Sequence, residues 1–485
     1  MTKSENQIYE KRWIILFTVV SAAFMSNLDG SIVNIALPDI SAKLHVTMAS
    51  VELVVTSFLI TVAATILIFG RIGDIKGKTK VFKFGVILFT LGSLFCGITN
   101  SLLVLVISRI VQAIGAAAEM ANSQGIITEA FPVNERGRAL GFLGTSVALG
   151  AMAGPPLGGV IISALSWKYI FFINVFIGII VYGLTIKVFP KVNKVVNEKL
   201  DIKGAILFTI AIVFLFGAIV EGQTVGYNNF FIIASFIVAI LAFITFIIIE
   251  KKIKAPLLYL KIFSNSLFSI SIICGFISFT AISASNIILP FYFQDTLKFS
   301  AAIAGFLMMI SPIILSVVAP FSGYLSDKMG SEVLTIIGLT ITSIGLFLIS
   351  SLNEKSIVGV LLFYITIMTI GNGIFQSPNN SLIMSTVPRD KLGIAGSVNA
   401  LVRDLGFAVG TSFATLILYN RMSYKIGHRV IDYVKGRDDV FVYGMKSVYI
   451  CAGILCTIGV VITAVRFYSS NKKFRNKEQK NIYKK

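Results

Sequence analysis

Apolar residues in this chain neither alternate with polar ones nor recur every three or four positions against a charged face; they come in solid blocks. Taken between charges and turn residues, the blocks fall at 13–36, 51–69, 81–98, 101–127, 139–163, 169–190, 203–220, 229–249, 266–290, 300–325, 333–351, 356–380, 392–418 and 446–467. At 1.5 Å per residue, about 20 residues in a helix cross a hydrocarbon core of about 30 Å, so each block is long enough to span a bilayer. The pattern predicts an all-α polytopic membrane protein with fourteen spans, an even number that places both termini on one side.

Composition agrees. Of the 485 residues, 56% are hydrophobic and 13% charged, with a mean hydropathy of +0.87. That is too little polar surface for a water-soluble body, which carries about 25% charged residues. The start KRWIILFTVVSAAF resembles a signal peptide, but no small-residue cleavage site follows, and a retained first helix is expected. Cys96, Cys274, Cys451 and Cys456 all fall inside apolar blocks and form no disulfide framework.

The net charge of +19 changes the picture through its distribution. With the termini inside, the odd-numbered connections carry ten Lys and Arg, among them Lys43, Lys168, Lys298 and Lys355; the even-numbered connections and tails carry thirty. A three-to-one bias orients the chain with both termini cytoplasmic and aims its basic residues at anionic lipid rather than nucleic acid. The last stretch, 471–485, reads as a basic cytoplasmic tail.

The connection after the second span, GRIGDIKGKTK, and that after the tenth, GYLSDKMGSE, hold Gly, Asp and Gly at the same offsets: Gly70, Asp74, Gly77 and Gly323, Asp327, Gly330, 253 residues apart. A second set lies 256 residues apart: Pro132 with Pro388, and Gly150 and Gly154 with Gly406 and Gly410. Two anchors at nearly one offset argue for a duplicated six-helix unit. The division is then 1–190 for an N-terminal six-helix bundle, 191–264 for a linker with two inserted helices, and 265–470 for a C-terminal bundle. GDIKGKT is not a phosphate loop, since Ile72 stands where that loop needs glycine.

These residues resemble the major facilitator superfamily, whose loop after the second helix reads G-x-x-x-D-x-x-G-[RK]; Lys78 fills its last place. The fifth span resembles the superfamily's antiporter motif, with Gly141, Gly150, Gly154, Pro155, Gly158 and Gly159 in every position. LDGSIVNIALPDI, RIVQAIGAA and SWKYIFFINVFIG are similar to motifs of the fourteen-span drug:proton antiporters of the EmrB/QacA type, with Ala113 and Phe176 as departures. The resemblance implies two six-helix bundles plus two extra helices, with the fifth helix at their interface and its motif marking exporters.

Ionisable residues inside a span cost about 2.5–3.5 kcal/mol each on the insertion scale and ask for a partner or a task. Asp29 and Arg109 both lie roughly 10–12 Å in from the outer surface, counted at 1.5 Å per residue. They are expected to pair, either as a static tie or as a proton-titrated couple. Glu119, an apolar position in the family, points about 80° round its helix from Arg109 at 100° per residue. It is expected to face an inner vestibule, meet a neighbour, attract a cationic substrate or serve as a second proton site. Asp404 is a further candidate for coupling or substrate, with Arg403 too far round the helix for an ideal pair. Asn34 joins Glu119 and Asp404 as a candidate substrate contact. Asp39, Glu52, Glu221, Asp295 and Glu129 lie at span ends, where ordinary solvation is expected, and His45 and His428 in outer loops.

The reading is a proton-coupled antiporter that exports lipophilic, cationic compounds by alternating access in the cell membrane. It is expected to act as a monomer, with small molecules, protons and the lipid bilayer as partners and neither cofactor nor metal. A same-fold carrier for a metabolite, nutrient or lipid is the alternative. An embedded enzyme finds no support in metal-ligand spacing or paired interfacial carboxylates.

Overall fold

The computed structural model describes residues 9–189, 200–253, 256–387 and 392–482. Pro388 lies outside them, as do residue 190, 191–199 and 254–255 of the linker, the side chain of Asp327 and all side chains from 469 onward. Among the described residues, fourteen helices are long and apolar enough to cross a membrane. We number them α1 Arg12–Leu44, α2 Leu53–Lys76, α3 Lys78–Ile98, α4 Leu102–Ala130, α5 Val133–Ala164, α6 Tyr169–Val188 and α7 Ile202–Val225. There follow α8 Phe230–Glu250, α9 Ser266–Phe291, α10 in two segments (Ala301–Met308 and Ile310–Met329), α11 Ser331–Ile349, α12 Val358–Ser385, α13 Leu392–Ile426 and α14 Asp438–Ile482. The last helix runs on into the segment expected to be a tail.

Two one-residue turns explain the repeated loop glycines. Gly77 at φ 101° links α2 to α3 and Gly330 at φ 88° links α10 to α11, conformations a side chain would strain. The duplication reappears in packing. The pairs α1–α5, α3–α4, α2–α4, α3–α6 and α1–α6 recur as α9–α13, α11–α12, α10–α12, α11–α14 and α9–α14. Between the halves, α5 meets α10 and α13 meets α2. Helices α7 and α8 pair with each other and touch the rest mainly through α7 on α2 and α13.

Small residues set these approaches. A Cβ on Gly150 would lie 2.6 Å from the Phe24 carbonyl of α1, and one on Gly406 would lie 3.1 Å from the Phe276 carbonyl of α9. Gly154 abuts Ser31 and Ile32, Gly158 abuts Ile32 and Ile35, and Gly410 abuts Thr280 and Ser283. The other side of α5 belongs to the opposite half: Gly159 faces the Ala301 carbonyl and the Pro155 carbonyl faces Gly305. Gly141 is helical, but its surroundings lie outside the described residues. Large apolar side chains such as Phe176, Phe230 and Phe231 stay exposed, as lipid-facing groups do.

Candidate functional site

The connections from α1 to α2, α3 to α4 and so on form the far side, opposite the termini. Toward that side, Asp29 and Arg109 meet as the depth match anticipates, 2.5 Å from Nη1 to Oδ2, with exposures of 0% and 1%. The pair is the centre of a larger network. Arg109 Nε donates to the Val54 carbonyl of α2 at 2.9 Å, and Nη1 also donates to Gln112 Oε1 at 2.6 Å. Gln112 Nε2 donates to Asp29 Oδ1 at 2.9 Å and to Ser93 Oγ at 2.8 Å; Asn174 Nδ2 of α6 donates to the same Asp29 oxygen at 2.7 Å. The faces of Phe58 and Phe171 cover the guanidinium, at 4.2 and 5.9 Å.

Five helices therefore meet in one network, and the carboxylate at its centre accepts three hydrogen bonds. Gln112 and Asn174 were missed as site residues, although both stand in the family-like strings RIVQAIGAA and FFINVFIG; depth matching asks only about charges, so amides carried no signal.

Glu119 lies deeper toward the termini, 1% exposed, where it accepts from Ser26 Oγ of α1 at 3.1 Å and packs beside Gly85 of α3. Its Oε1 has no partner among the described residues. The carboxyl is covered by its own half rather than open to a vestibule. Asp404 is 5% exposed and, contrary to the helical-wheel argument, pairs with its neighbour: Arg403 Nε lies 3.2 Å from Oδ1. The long guanidinium folds back along the helix, which a Cα-based angle does not capture. Asp404 shares a stripe of α13 with Leu401 and Ala408, which pack against α2 and α4. Asn34 lies on the uncovered strip of α1 with Gly30, to whose carbonyl its amide donates at 3.3 Å.

In the loop motif, Lys78 Nζ reaches Asp74 at 3.2 Å and Glu129 at 2.8 Å, so Glu129 is tied to the motif rather than merely solvated. Gly70 faces Ala121 of α4, and Gly323 faces Ser377 of α12. Glu52 is the clear departure from expectation. It is 3% exposed, not solvated, and Tyr419 Oη of α13 donates to it at 2.7 Å across the halves.

No group of three His, Cys, Asp or Glu is arranged to hold a metal among the described residues. The arrangement is a packed helical pair of bundles with a sealed charge network in one and acids on helices that meet between halves.

The family profile described as Major Facilitator Superfamily matches residues 19–411. The riboflavin transporter RibZ of Clostridioides difficile is 35% identical over 96% of this chain and 99% of its own. Multidrug resistance protein 3 of Bacillus subtilis is 29% identical over 85% and 80%, and lincomycin resistance protein LmrB of Listeria monocytogenes 26% identical over 92% and 96%. A crystal structure of a POT family transporter in complex with a thioalcohol-conjugated peptide superposes with a TM-score of 0.71 at 14% identity, covering 97% of this chain and 99% of that one, a likeness of fold. Profile, relatives and paired bundles agree: this chain is a multi-pass cell-membrane transporter, not an enzyme, and it belongs to the Major Facilitator Superfamily.

Proposed function

We propose that the chain is a proton-coupled antiporter that exports lipophilic compounds by alternating access, as a monomer with both termini cytoplasmic. Its working parts are then the 1–190 and 265–470 bundles, with 191–264 as an inserted linker. The Asp29–Arg109 network carries this reading. Asp29 accepts from Arg109, Gln112 and Asn174; a proton arriving there cancels the charge that fixes Arg109 between α1, α2 and α4, freeing helices that the ion pair otherwise ties. The drug-transporting relatives support the export direction. Of the remaining acids, Asp404 is the second coupling candidate; Asp404 and Asn34 are the candidate substrate contacts, whereas Glu119 is covered by α1, α3 and α4.

Asp29→Asn separates coupling from mere structure. Removing one partner of a static buried pair costs about 3–5 kcal/mol and would deplete folded protein. If Asp29 is neutral during part of the cycle, the variant folds and inserts but no longer drives efflux in everted vesicles under an imposed proton gradient. Wild-type concentrative efflux by the variant would end the coupling reading.

A second reading is a carrier for a neutral, hydrogen-bonding ring system such as riboflavin. The uncovered amides Asn34, Asn380 and Asn399, the last two bonded at 3.0 Å, favour it, as does the likeness to RibZ. Such groups recognise donors and acceptors on an uncharged ligand rather than a fixed positive charge. Riboflavin flux and quaternary-ammonium dye flux, measured in the same vesicles, separate the two.

A further inference from the structure

We propose that Glu52 is a proton-binding site that latches the far side of the transporter shut. Between the halves, the far side is joined by contacts that are nearly all backbone or neutral. Ala49 N–H donates to the Ile431 carbonyl at 3.3 Å, Gln294 Nε2 donates to the Ile35 carbonyl at 3.2 Å, and Ala302 N–H donates to Ser163 Oγ at 3.2 Å. Among the described residues, two carboxyl groups take part. Asp432 accepts from Met48 N–H at 3.1 Å but sits exposed in a loop. Glu52 is shut in, with Tyr419 donating to Oε1 at 2.7 Å and Thr415 as the second hydroxyl beside it.

The groups around Glu52 supply no counter-charge. From α13 they are Tyr419 and Thr415, and from the connection before α14 the acid Asp432, whose field reaches Tyr419. Among the described residues no Lys, Arg or His stands within ion-pair distance of Glu52. A carboxylate closed away from water with only hydroxyl partners is costly, whereas the neutral acid keeps its hydrogen bonds without a buried charge.

Parting α2 from α13 at the far side breaks the Tyr419 bond and returns Glu52 to water, where it ionises as an ordinary glutamate. The far-closed state therefore binds this proton more tightly than the far-open state. By linkage, rising pH favours opening and falling pH favours closure, with the open-to-closed ratio changing by up to about tenfold per pH unit for one proton. This latch requires that the halves part at the far side, as the proposed alternating access has them do, but it does not require that transport be driven by protons.

The test is a distance measurement between spin labels at Ser101→Cys and Lys355→Cys, exposed positions on far-side connections of the two halves, in a cysteine-free background in lipid nanodiscs from pH 5.5 to 8.5. Wild type is expected to gain a long-distance population as pH rises. Glu52→Gln, which keeps an acceptor for Tyr419 and cannot ionise, is expected to stay short throughout. Tyr419→Phe is expected to open at lower pH than wild type, with its dependence on pH retained. Asp29→Asn is the arm that isolates the coupling site. If pH dependence survives in Glu52→Gln and disappears in Asp29→Asn, the proton sits at Asp29 and the latch is wrong. If wild-type distances do not respond to pH at all, the latch is overturned as well.

Discussion

At the scale of single residues, covered acids behave differently from acids on an open wall. Asp29 has Arg109 and two amides, and its oxygens are used. Glu119 has one serine and an oxygen with no partner among the described residues. Replacing a buried, cation-free carboxyl by its neutral isostere removes little, so Glu119→Gln is expected to change thermal stability by less than about 1 kcal/mol. Because its carboxyl is covered by α1, α3 and α4, the same variant is expected to lower efflux of a quaternary ammonium dye and of a neutral compound of similar size to the same extent. Loss confined to the dye would instead put Glu119 against the substrate. Gln112→Leu keeps the volume but leaves Ser93 and the Asp29 oxygen short of a donor, and a loss of about 1–3 kcal/mol is expected in thermal unfolding of the detergent-solubilised protein.

Among the helices, α5 carries two duties on two faces. Gly150, Gly154 and Gly158 seat it on α1, while Gly159 and Pro155 seat it on α10 of the other half. In lipid, close approach is driven by packing rather than by water exclusion, so a bulky side chain here acts by separating helices. Gly154→Leu, wedged against Ser31 and Ile32, is expected to reduce folded protein severalfold, as judged by fluorescence-detected size-exclusion chromatography. Gly159→Leu faces the Ala301 carbonyl between halves, and is expected to spare folding more but to shift the resting state away from far-side closure. Proteolytic or spin-label distances across that side would register the shift; unchanged distances with full activity would show that the contact at Gly159 is dispensable.

For the molecule as a whole, charge asymmetry and the count of spans predict an orientation that packing alone does not report. Lys355→Cys is expected to react with a membrane-impermeant maleimide in intact cells, and Lys80→Cys only after permeabilisation. The opposite result would invert the chain in the bilayer. The same whole-molecule view explains why the far side carries the proposed latch. There the turn Met48–Val51, capped by Thr47, brings the start of α2 onto α13 and the loop that follows it.

By itself the sequence determined the number of the spans and their places along the chain, because burying backbone polar groups in lipid leaves a run of apolar residues no alternative to a helix. It also determined the repeat, since a one-residue turn at φ near 90–100° demands glycine at Gly77 and Gly330, and close crossings demand it at Gly150 and Gly406. The Asp29–Arg109 pairing was readable too, because depth is counted along a helix of known rise. What only the tertiary structure decided was the angular neighbourhood of each polar group. Glu52 reads as an ordinary span-end acid until α13 is seen lying over it, and Arg403 reads as turned away from Asp404 until its side chain is seen folding back. Gln112 and Asn174 carry no charge to betray them, yet they complete the carboxylate's bonds. Rise along a helix is set locally by backbone hydrogen bonds, whereas which face meets which neighbour depends on how fourteen helices pack together.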